Sequence, residues 1–176
     1  MSGNSEPGAA AHVAWLRGHD AVNSRLHGAL KRAREQDVCR GTHFFEGRYE
    51  NLYVDREVLP EVEPVLDFAR EEAARILERP APSLAVGFWF NLMEPGQRTL
   101  PHTHDDFDEL LSAVYYVRVP AGSGNLLLGP EKRPVQPREG MFAFFPPDLI
   151  HEVEPNDSPH ARLSLAMNFG PLDSDR

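Results

Sequence analysis

The second half of the chain is broken into short apolar runs that are separated by turn-forming residues. After Pro82 these runs are SLAVGFWFNLM, LLSAVYYVRVP, SGNLLLG, GMFAFFP, HEVEP and ARLSLAMNFG. Their β-branched and aromatic residues favour strands, and the clusters of Gly, Pro, Asn and Asp between them favour turns. About six to eight short strands at such spacing are typical of a small antiparallel sandwich or barrel. We therefore predict a mainly β core over about residues 84–171.

Two helical patterns precede this core. From His12 to about Gln36, apolar residues recur at helical spacing, which predicts one helix or two helices that break near Gly18. A second helix is predicted over about 62–79, because its apolar residues form one stripe and Pro80 ends it. We expect both helices to pack outside one of the sheets.

The remaining segments complete a single domain. The stretch FEGRYENLYVD, residues 45–55, has weak periodicity and predicts a loop or a short strand. Residues 1–10 are small and polar, so we expect a disordered tail ahead of one domain of residues 11–176. A chain of 176 residues is long enough to bury one sizeable core.

Charge and composition exclude several classes of partner. The chain has 18 basic and 27 acidic residues and a formal net charge of −9, which disfavours binding to a nucleic-acid backbone. It has no apolar run of membrane-spanning length, and its first residues lack the basic and apolar regions of a signal peptide. A single cysteine, Cys39, cannot form an internal disulfide. These features predict a cytoplasmic protein with no membrane or nucleic-acid partner, and they leave a homodimer open.

Three histidines are the first candidates for a functional site. His102 and His104 follow the predicted strand at 84–93 and a Pro-Gly turn, and residues i and i+2 of an extended segment face the same side. His151 follows GMFAFFPPDLI and opens the next predicted strand. Imidazoles from two adjacent strands would bind one face of a metal ion and leave its other positions open. The pattern therefore predicts a three-histidine metal site, although imidazole suits iron, copper, zinc and nickel alike.

A charged residue in an otherwise apolar strand is the second candidate. Arg162 opens RLSLAMNF, in which alternate positions are apolar. A buried guanidinium is costly unless it meets an anion, preferably a carboxylate that it binds through two N–H groups. Ser164 shares the face of Arg162 and can hydrogen-bond the same anion. Beside a metal site, the pair predicts a pocket for a dicarboxylate cosubstrate; an ordinary salt bridge at a sheet edge is the alternative.

These motifs resemble those of the Fe(II)- and 2-oxoglutarate-dependent oxygenases, over about residues 84–171. NLMEPGQRTLPHTH is similar to the family's first metal-binding segment, and GMFAFFPPDLIHEVEP is similar to the strand that carries its distal histidine. Arg162 lies eleven positions after His151 and is followed by x-Ser, as is the arginine that binds the far carboxylate of 2-oxoglutarate in this family. A bacterial branch with a His-x-His…His…Arg-x-Ser pattern is the most similar.

The chain departs from the usual ligand triad of this family, which is His-x-Asp…His. Counting forward from Gly96 gives the family's five intervening residues before His102, which makes His102, His104 and His151 the ligands. Counting back from the following strand gives His104, Asp106 and His151 instead. We prefer the first set and keep Asp106 as the alternative ligand.

The resemblance implies a double-stranded β-helix, a jelly-roll barrel of cupin-like form, with oxygenase activity. Fe(II) would be the metal, 2-oxoglutarate the cosubstrate and molecular oxygen the oxidant. The usual reaction is hydroxylation, here of a small molecule or an amino-acid side chain. By the same resemblance Arg162 and Ser164 bind the far carboxylate, and Asn91 contacts the carboxylate next to the metal. Tyr115 and Tyr116 alternate on their strand, so one of them faces inward, where it lines the pocket or packs in the core.

Two other interpretations stay open. The same segments match the two parts of the cupin pattern, with His102, His104, Glu109 and His151 as ligands, and predict an isomerase or a dioxygenase without cosubstrate. A cupin does not need an inward arginine, so Arg162 discriminates between the two. A non-catalytic β-sandwich binding module is the third interpretation, and it would have no exchangeable metal site.

Overall fold

In the part of the chain that the structure describes, eleven antiparallel strands form two sheets that face each other. A computed structural model describes residues 11–104 and 108–172 of the chain, and the predicted tail of residues 1–10 lies outside this part. The strands are β1 (His12–Trp15), β2 (Arg40–Phe45), β3 (Arg48–Tyr53), β4 (Leu84–Met93), β5 (Thr99–His102), β6 (Leu111–Arg118), β7 (Leu126–Leu128), β8 (Arg133–Val135), β9 (Met141–Phe145), β10 (His151–Val153) and β11 (Arg162–Pro171). The large sheet has the order β1-β9-β6-β11-β4-β3-β2, and the small sheet has the order β5-β10-β7-β8. The prediction of a mainly β core is confirmed.

Two helices cover the outer face of the large sheet. They are α1 (His19–Glu35) and α2 (Glu63–Leu77), and short 3-10 turns at Pro60–Val62 and Ala81–Ser83 flank α2. Both helices contact the large sheet and bury their apolar stripes against it. The second predicted helix is therefore confirmed. None of the helices in the described residues has the length and apolar character that a membrane crossing requires.

The first predicted helix begins later than the apolar spacing indicated. Residues His12–Trp15 form β1, which pairs antiparallel with β9, and the helix starts at His19. Gly18 has a left-handed φ of 68°, which separates the two elements. Extending the helix back to residue 12 was wrong, because β1 pairs its backbone with an edge that β9 would otherwise leave open.

The segment predicted as a loop or a short strand forms half of a hairpin. Strands β2 and β3 pair with each other, and β3 joins the large sheet beside β4. Near the turn, Phe44 and Tyr49 are exposed and their rings meet edge to face at 5.2 Å. The hairpin extends the large sheet at the edge next to β4. β4 carries several of the cavity residues described below.

The strands of the large sheet separate a helix-facing core from a cavity-facing interior. On β4, Phe90 packs in the core beneath α2, whereas Trp89, Asn91 and Met93 point to the space between the sheets. The same alternation on β6 turns Tyr115 toward α1 and Tyr116 toward the cavity. The cavity is therefore lined mainly by alternate residues of the central strands.

Replacing Tyr115 by phenylalanine is expected to lower the free energy of unfolding by about 1–2 kcal/mol. The Tyr115 hydroxyl donates to Asn23 Oδ1 on α1 at 2.5 Å, and both side chains are buried. Without this donor, the Asn23 oxygen is desolvated and unpaired. Chemical denaturation of Tyr115→Phe beside Tyr49→Phe, which changes a half-exposed side chain, measures the effect. Equal stabilities of the two variants would show that the buried bond contributes nothing.

Candidate metal centre and adjoining anion pocket

Adjacent strands of the small sheet bring the three candidate histidines together. His102 ends β5 and His151 begins β10, and the two are directly paired in the antiparallel register. Paired residues of neighbouring strands share a face, so their ring centroids lie 4.2 Å apart. His104 follows two residues later, and its backbone N–H donates to Pro147 O at 2.7 Å. Its ring lies 4.8 Å from His102 and 4.9 Å from His151.

The ligand atoms of the three histidines converge on one point. Each residue offers a ring nitrogen within 4.8 Å of the other two. His102 Nδ1 lies 2.8 Å from Leu100 O and His151 Nδ1 lies 2.9 Å from Leu149 O. A carbonyl oxygen can only accept, so each Nδ1 carries the proton and Nε2 keeps its lone pair for a ligand. Such hydrogen bonds hold a metal-binding imidazole in one tautomer and orientation.

Burial keeps two of these imidazoles neutral. It lowers the pKa of His151 to about 3, with His102 as the next cause, and it lowers the pKa of His104 to about 4. Both rings are therefore unprotonated at neutral pH, since desolvation opposes the charged form. These two uncharged nitrogen donors can accept a divalent cation without first losing protons.

Of the carboxylates in the alternative interpretations, Glu109 is described and does not join this cluster. Asp106, the alternative ligand, lies outside the described residues, as does Asp105. Glu109 is described, but the group of potential ligands in the described residues consists of His102, His104 and His151. The four-ligand cupin set is therefore not assembled within residues 11–104 and 108–172.

Arg162 is buried at the other end of the same cavity. Its residue is 1% exposed, and its Nη1 donates to Ser123 O at 3.1 Å and Gly124 O at 2.7 Å. The guanidinium stacks over the ring of Tyr116 at 5.1 Å. Among the described residues, Arg162 Nε and the Tyr116 hydroxyl are buried without a hydrogen-bond partner. Its neighbours are thus carbonyls and a phenol rather than a carboxylate, which leaves a buried positive charge that an anion would neutralise.

Ser164 and Tyr116 complete the lining around this guanidinium. Ser164 pairs across the sheet with Asn91 on one side and Tyr116 on the other, and all of them line the cavity. Burial raises the pKa of the Tyr116 hydroxyl, so at neutral pH it keeps the proton that it can donate. The alternation of Tyr115 and Tyr116 was visible in the sequence, but not which of the two faces Arg162.

Asn91 is already engaged by the hairpin. Its Nδ2 donates to Glu50 O at 2.9 Å and to Asn51 Oδ1 at 3.1 Å, which uses both amide hydrogens. Asn91 lines the cavity, as the resemblance implied. A carboxylate could receive a hydrogen bond from this amide only if one of these bonds opened.

Aromatic side chains wall the cavity near the histidines. The ring of Trp89 meets His104 edge to face at 5.3 Å, and the ring of Phe145 lies 4.8 Å from His151. Neither residue was singled out from the sequence, because an aromatic residue in a strand run usually indicates core packing. Their positions add apolar surface to the cavity next to the three histidines.

Comparison with known proteins identifies the fold. No family model matches the sequence, and no significant relative is found among curated proteins. The non-haem α-ketoglutarate-dependent carbocyclase SnoK of nogalamycin biosynthesis superposes with a TM-score of 0.76 at 16% identity, over 93% of this chain and 80% of that one. A Trichoplax adhaerens prolyl hydroxylase, solved with a hypoxia-inducible-factor peptide, gives 0.72 at 11% identity over 93% and 84%.

A bacterial enzyme gives a similar likeness. The prolyl-4-hydroxylase of Pseudomonas putida superposes with a TM-score of 0.63 at 20% identity, over 93% of this chain and 89% of that one. At these identities the likeness concerns the fold, which extends over nearly the whole domain. The chain therefore has the jelly-roll fold, a double-stranded β-helix, that these oxygenases share.

Proposed function

We propose that the chain is a non-haem Fe(II) oxygenase that uses 2-oxoglutarate and molecular oxygen. One observation carries the proposal: three convergent imidazoles and a buried guanidinium without a carboxylate partner line a single cavity. The histidine cluster alone, or the buried arginine alone, would not indicate a particular reaction. Together they match a ligand that joins a metal-binding keto acid to a second carboxylate. The solved structures with this fold, which include α-ketoglutarate-dependent enzymes, support the same assignment.

The donor set fits a divalent iron. His102 and His151 would hold the ion through Nε2 and His104 through a ring nitrogen, all on one side, and the cavity leaves its other side open. Three neutral ligands leave the 2+ charge of the ion uncompensated, so an anionic cosubstrate is favoured in the remaining positions. When bound, iron supplies the activation of oxygen, coupled to the decarboxylation of 2-oxoglutarate to succinate.

The protein's own residues would position the cosubstrate. Arg162 is the residue we assign to its far carboxylate, since its Nε is buried without a partner and a guanidinium binds carboxylate strongly. The hydroxyls of Ser164 and Tyr116 lie on the same side of the cavity and would donate to the same group. Asn91 stays a weaker assignment, because its amide hydrogens already serve the hairpin.

The substrate would meet the metal at the aromatic end of the cavity. Trp89 and Phe145 pack against the histidines and exclude water, which protects a reactive centre from side reactions. We assign hydroxylation of a small molecule or an amino-acid side chain as the reaction. Proteins with this fold include a carbocyclase and an epimerase, so the test of the family reaction must not depend on a hydroxylated product.

Succinate formation provides that test. The full chain, loaded with iron under anaerobic conditions, is expected to bind about one Fe(II) and to develop a weak visible absorption band when 2-oxoglutarate is added. Admission of oxygen should then release succinate, slowly even without a substrate. Iron binding that is insensitive to 2-oxoglutarate, with no succinate formed, would contradict the cosubstrate. A chain that binds no iron would contradict the metal site itself.

A further inference from the structure

A shelf of small side chains lies on the inner face of the large sheet. The name shelf is used below for four residues: Gly87, Ser112, Ala166 and Asn168. In the strand register, Asn168 of β11 lies between Ser112 of β6 and Gly87 of β4, and Ala166 lies one step further along β11 on the same face. Ser112 and Ala166 line the cavity, and strand alternation places the other two on that side as well.

The shelf lies on the opposite side of the metal centre from Arg162. Along β11, the inward residues follow the order Arg162, Ser164, Ala166 and Asn168. Ala166 pairs with Trp89, whose ring contacts His104, so the metal centre is level with the middle of this series. If the keto acid extends from the metal to Arg162, as the proposed function requires, the shelf remains for the substrate.

The shelf is flat and wide. Gly87 is exposed, and a Cβ added to it would meet nothing within 4 Å. Four register-paired residues form one row across the sheet, from β9 through β6 and β11 to β4. They are Phe145, Ser112, Asn168 and Gly87. These three strand spacings make about 14 Å, the width of two or three fused rings. Phe145 on β9 ends this row, and Trp89 lies on β4 beside Gly87, in the next row with Ala166. A flat ligand would therefore lie on small groups between two aromatic side chains.

One hydrogen-bond donor on the shelf is held in a fixed direction. The Ser112 hydroxyl donates to Asn168 Oδ1 at 2.8 Å, which sets the orientation of the amide. Because the oxygen is used as the acceptor, Nδ2 is the end of the amide left to serve a ligand. A donor of this kind binds a carbonyl or hydroxyl oxygen, and it does so best where aromatic walls exclude water.

We infer that the shelf binds a flat, oxygen-bearing ring compound as the substrate. The ring face lies over Gly87 and Ala166, its edge meets Trp89, and a ring carbonyl accepts a hydrogen bond from Asn168 Nδ2. An extended peptide fits the shelf less well, because its side chains would project toward a surface of backbone and methyl groups. Asn168 and Gly87 are thus assigned as specificity-determining residues.

Two bicyclic probes that differ in one oxygen test this inference. 1-Tetralone carries a ring carbonyl and tetralin lacks it, and equilibrium dialysis measures their affinity for the full chain. Binding is compared without metal and cosubstrate, so failure of iron loading does not affect the outcome. The wild-type protein is expected to prefer 1-tetralone by about tenfold, the value of one well-placed hydrogen bond in a dry site. Asn168→Ala should remove this preference while tetralin affinity is kept.

A second variant tests the shape of the shelf. Gly87→Val suits a strand and has room for its Cβ, so it should fold with an unchanged thermal midpoint yet bind both probes at least about tenfold more weakly. Equal affinity for 1-tetralone and tetralin in the wild-type protein would overturn the inference. So would unchanged binding in Gly87→Val, or displacement of 1-tetralone by poly-L-proline at lower concentration than by a second ring ketone. Each of these results leaves the iron and 2-oxoglutarate assay free to succeed or fail separately.

Discussion

Replacement of His151 by alanine is expected to lower iron affinity by at least about 100-fold and to abolish succinate formation. His151 is the most buried member of the triad and is register-paired with His102, so its removal leaves two ligands from one short segment. Two imidazoles cannot hold the ion on one face. Iron content after desalting and succinate yield in the presence of 2-oxoglutarate measure both effects.

Glu109→Ala is the matched control for this variant. It removes a carboxylate, a metal-binding type of side chain, five positions after His104, but Glu109 is not part of the histidine cluster in the described residues. Iron affinity and succinate yield should therefore stay at the wild-type level. A loss comparable to that of His151→Ala would instead favour the four-ligand cupin set. Retention of full iron affinity in His151→Ala would place the metal elsewhere.

The histidine cluster was accessible from the sequence because most of its signals are local. His102 and His104 are two residues apart in an extended segment, and His151 opens a strand that follows a Pro-Pro-Asp turn. The same holds for α2, whose stripe and terminal proline lie within one segment. Arg162 was conspicuous because a guanidinium in an apolar strand needs an explanation. Each of these signals is a spacing within about 20 residues. Grouping His151 with His104, 47 positions earlier, needed in addition the expectation that their two strands are adjacent.

The other site features depend on pairing between distant strands. Asn168 lies between Ser112 and Gly87 only because β11 pairs with both β6 and β4. The spacing of residues within one segment does not predict that register. The same applies to Tyr116, which stacks on Arg162 from another strand. β1 was mistaken for helix for a related reason, since the edge of β9 is a tertiary partner that overrides a short apolar pattern.

Replacement of Arg162 by methionine is expected to remove 2-oxoglutarate binding while the protein stays folded and binds iron. Truncating one side of a buried charge pair costs about 2–5 kcal/mol of binding, so the KM for 2-oxoglutarate should rise by at least about 30-fold. The fold should tolerate the change, because methionine fills much of the same volume and removes a buried charge that has no carboxylate partner among the described residues. The loss of donors to Ser123 O and Gly124 O opposes this gain, so we expect the free energy of unfolding to change by less than about 2 kcal/mol.

Thermal unfolding with and without 2-oxoglutarate separates the loss of cosubstrate binding from any change in the stability of the fold. A ligand that binds only the native state raises the midpoint, so the wild-type iron-loaded protein should be stabilised by 2-oxoglutarate and Arg162→Met should not. Arg48→Met is the control: this largely buried arginine donates to Leu92 O and Arg98 O, pairs with Glu50 at 3.5 Å and is not among the described residues that line the cavity. Its response to 2-oxoglutarate should equal that of the wild type. An Arg162→Met protein that kept the wild-type KM would show that the buried guanidinium serves the fold, and the dicarboxylate would need another anchor.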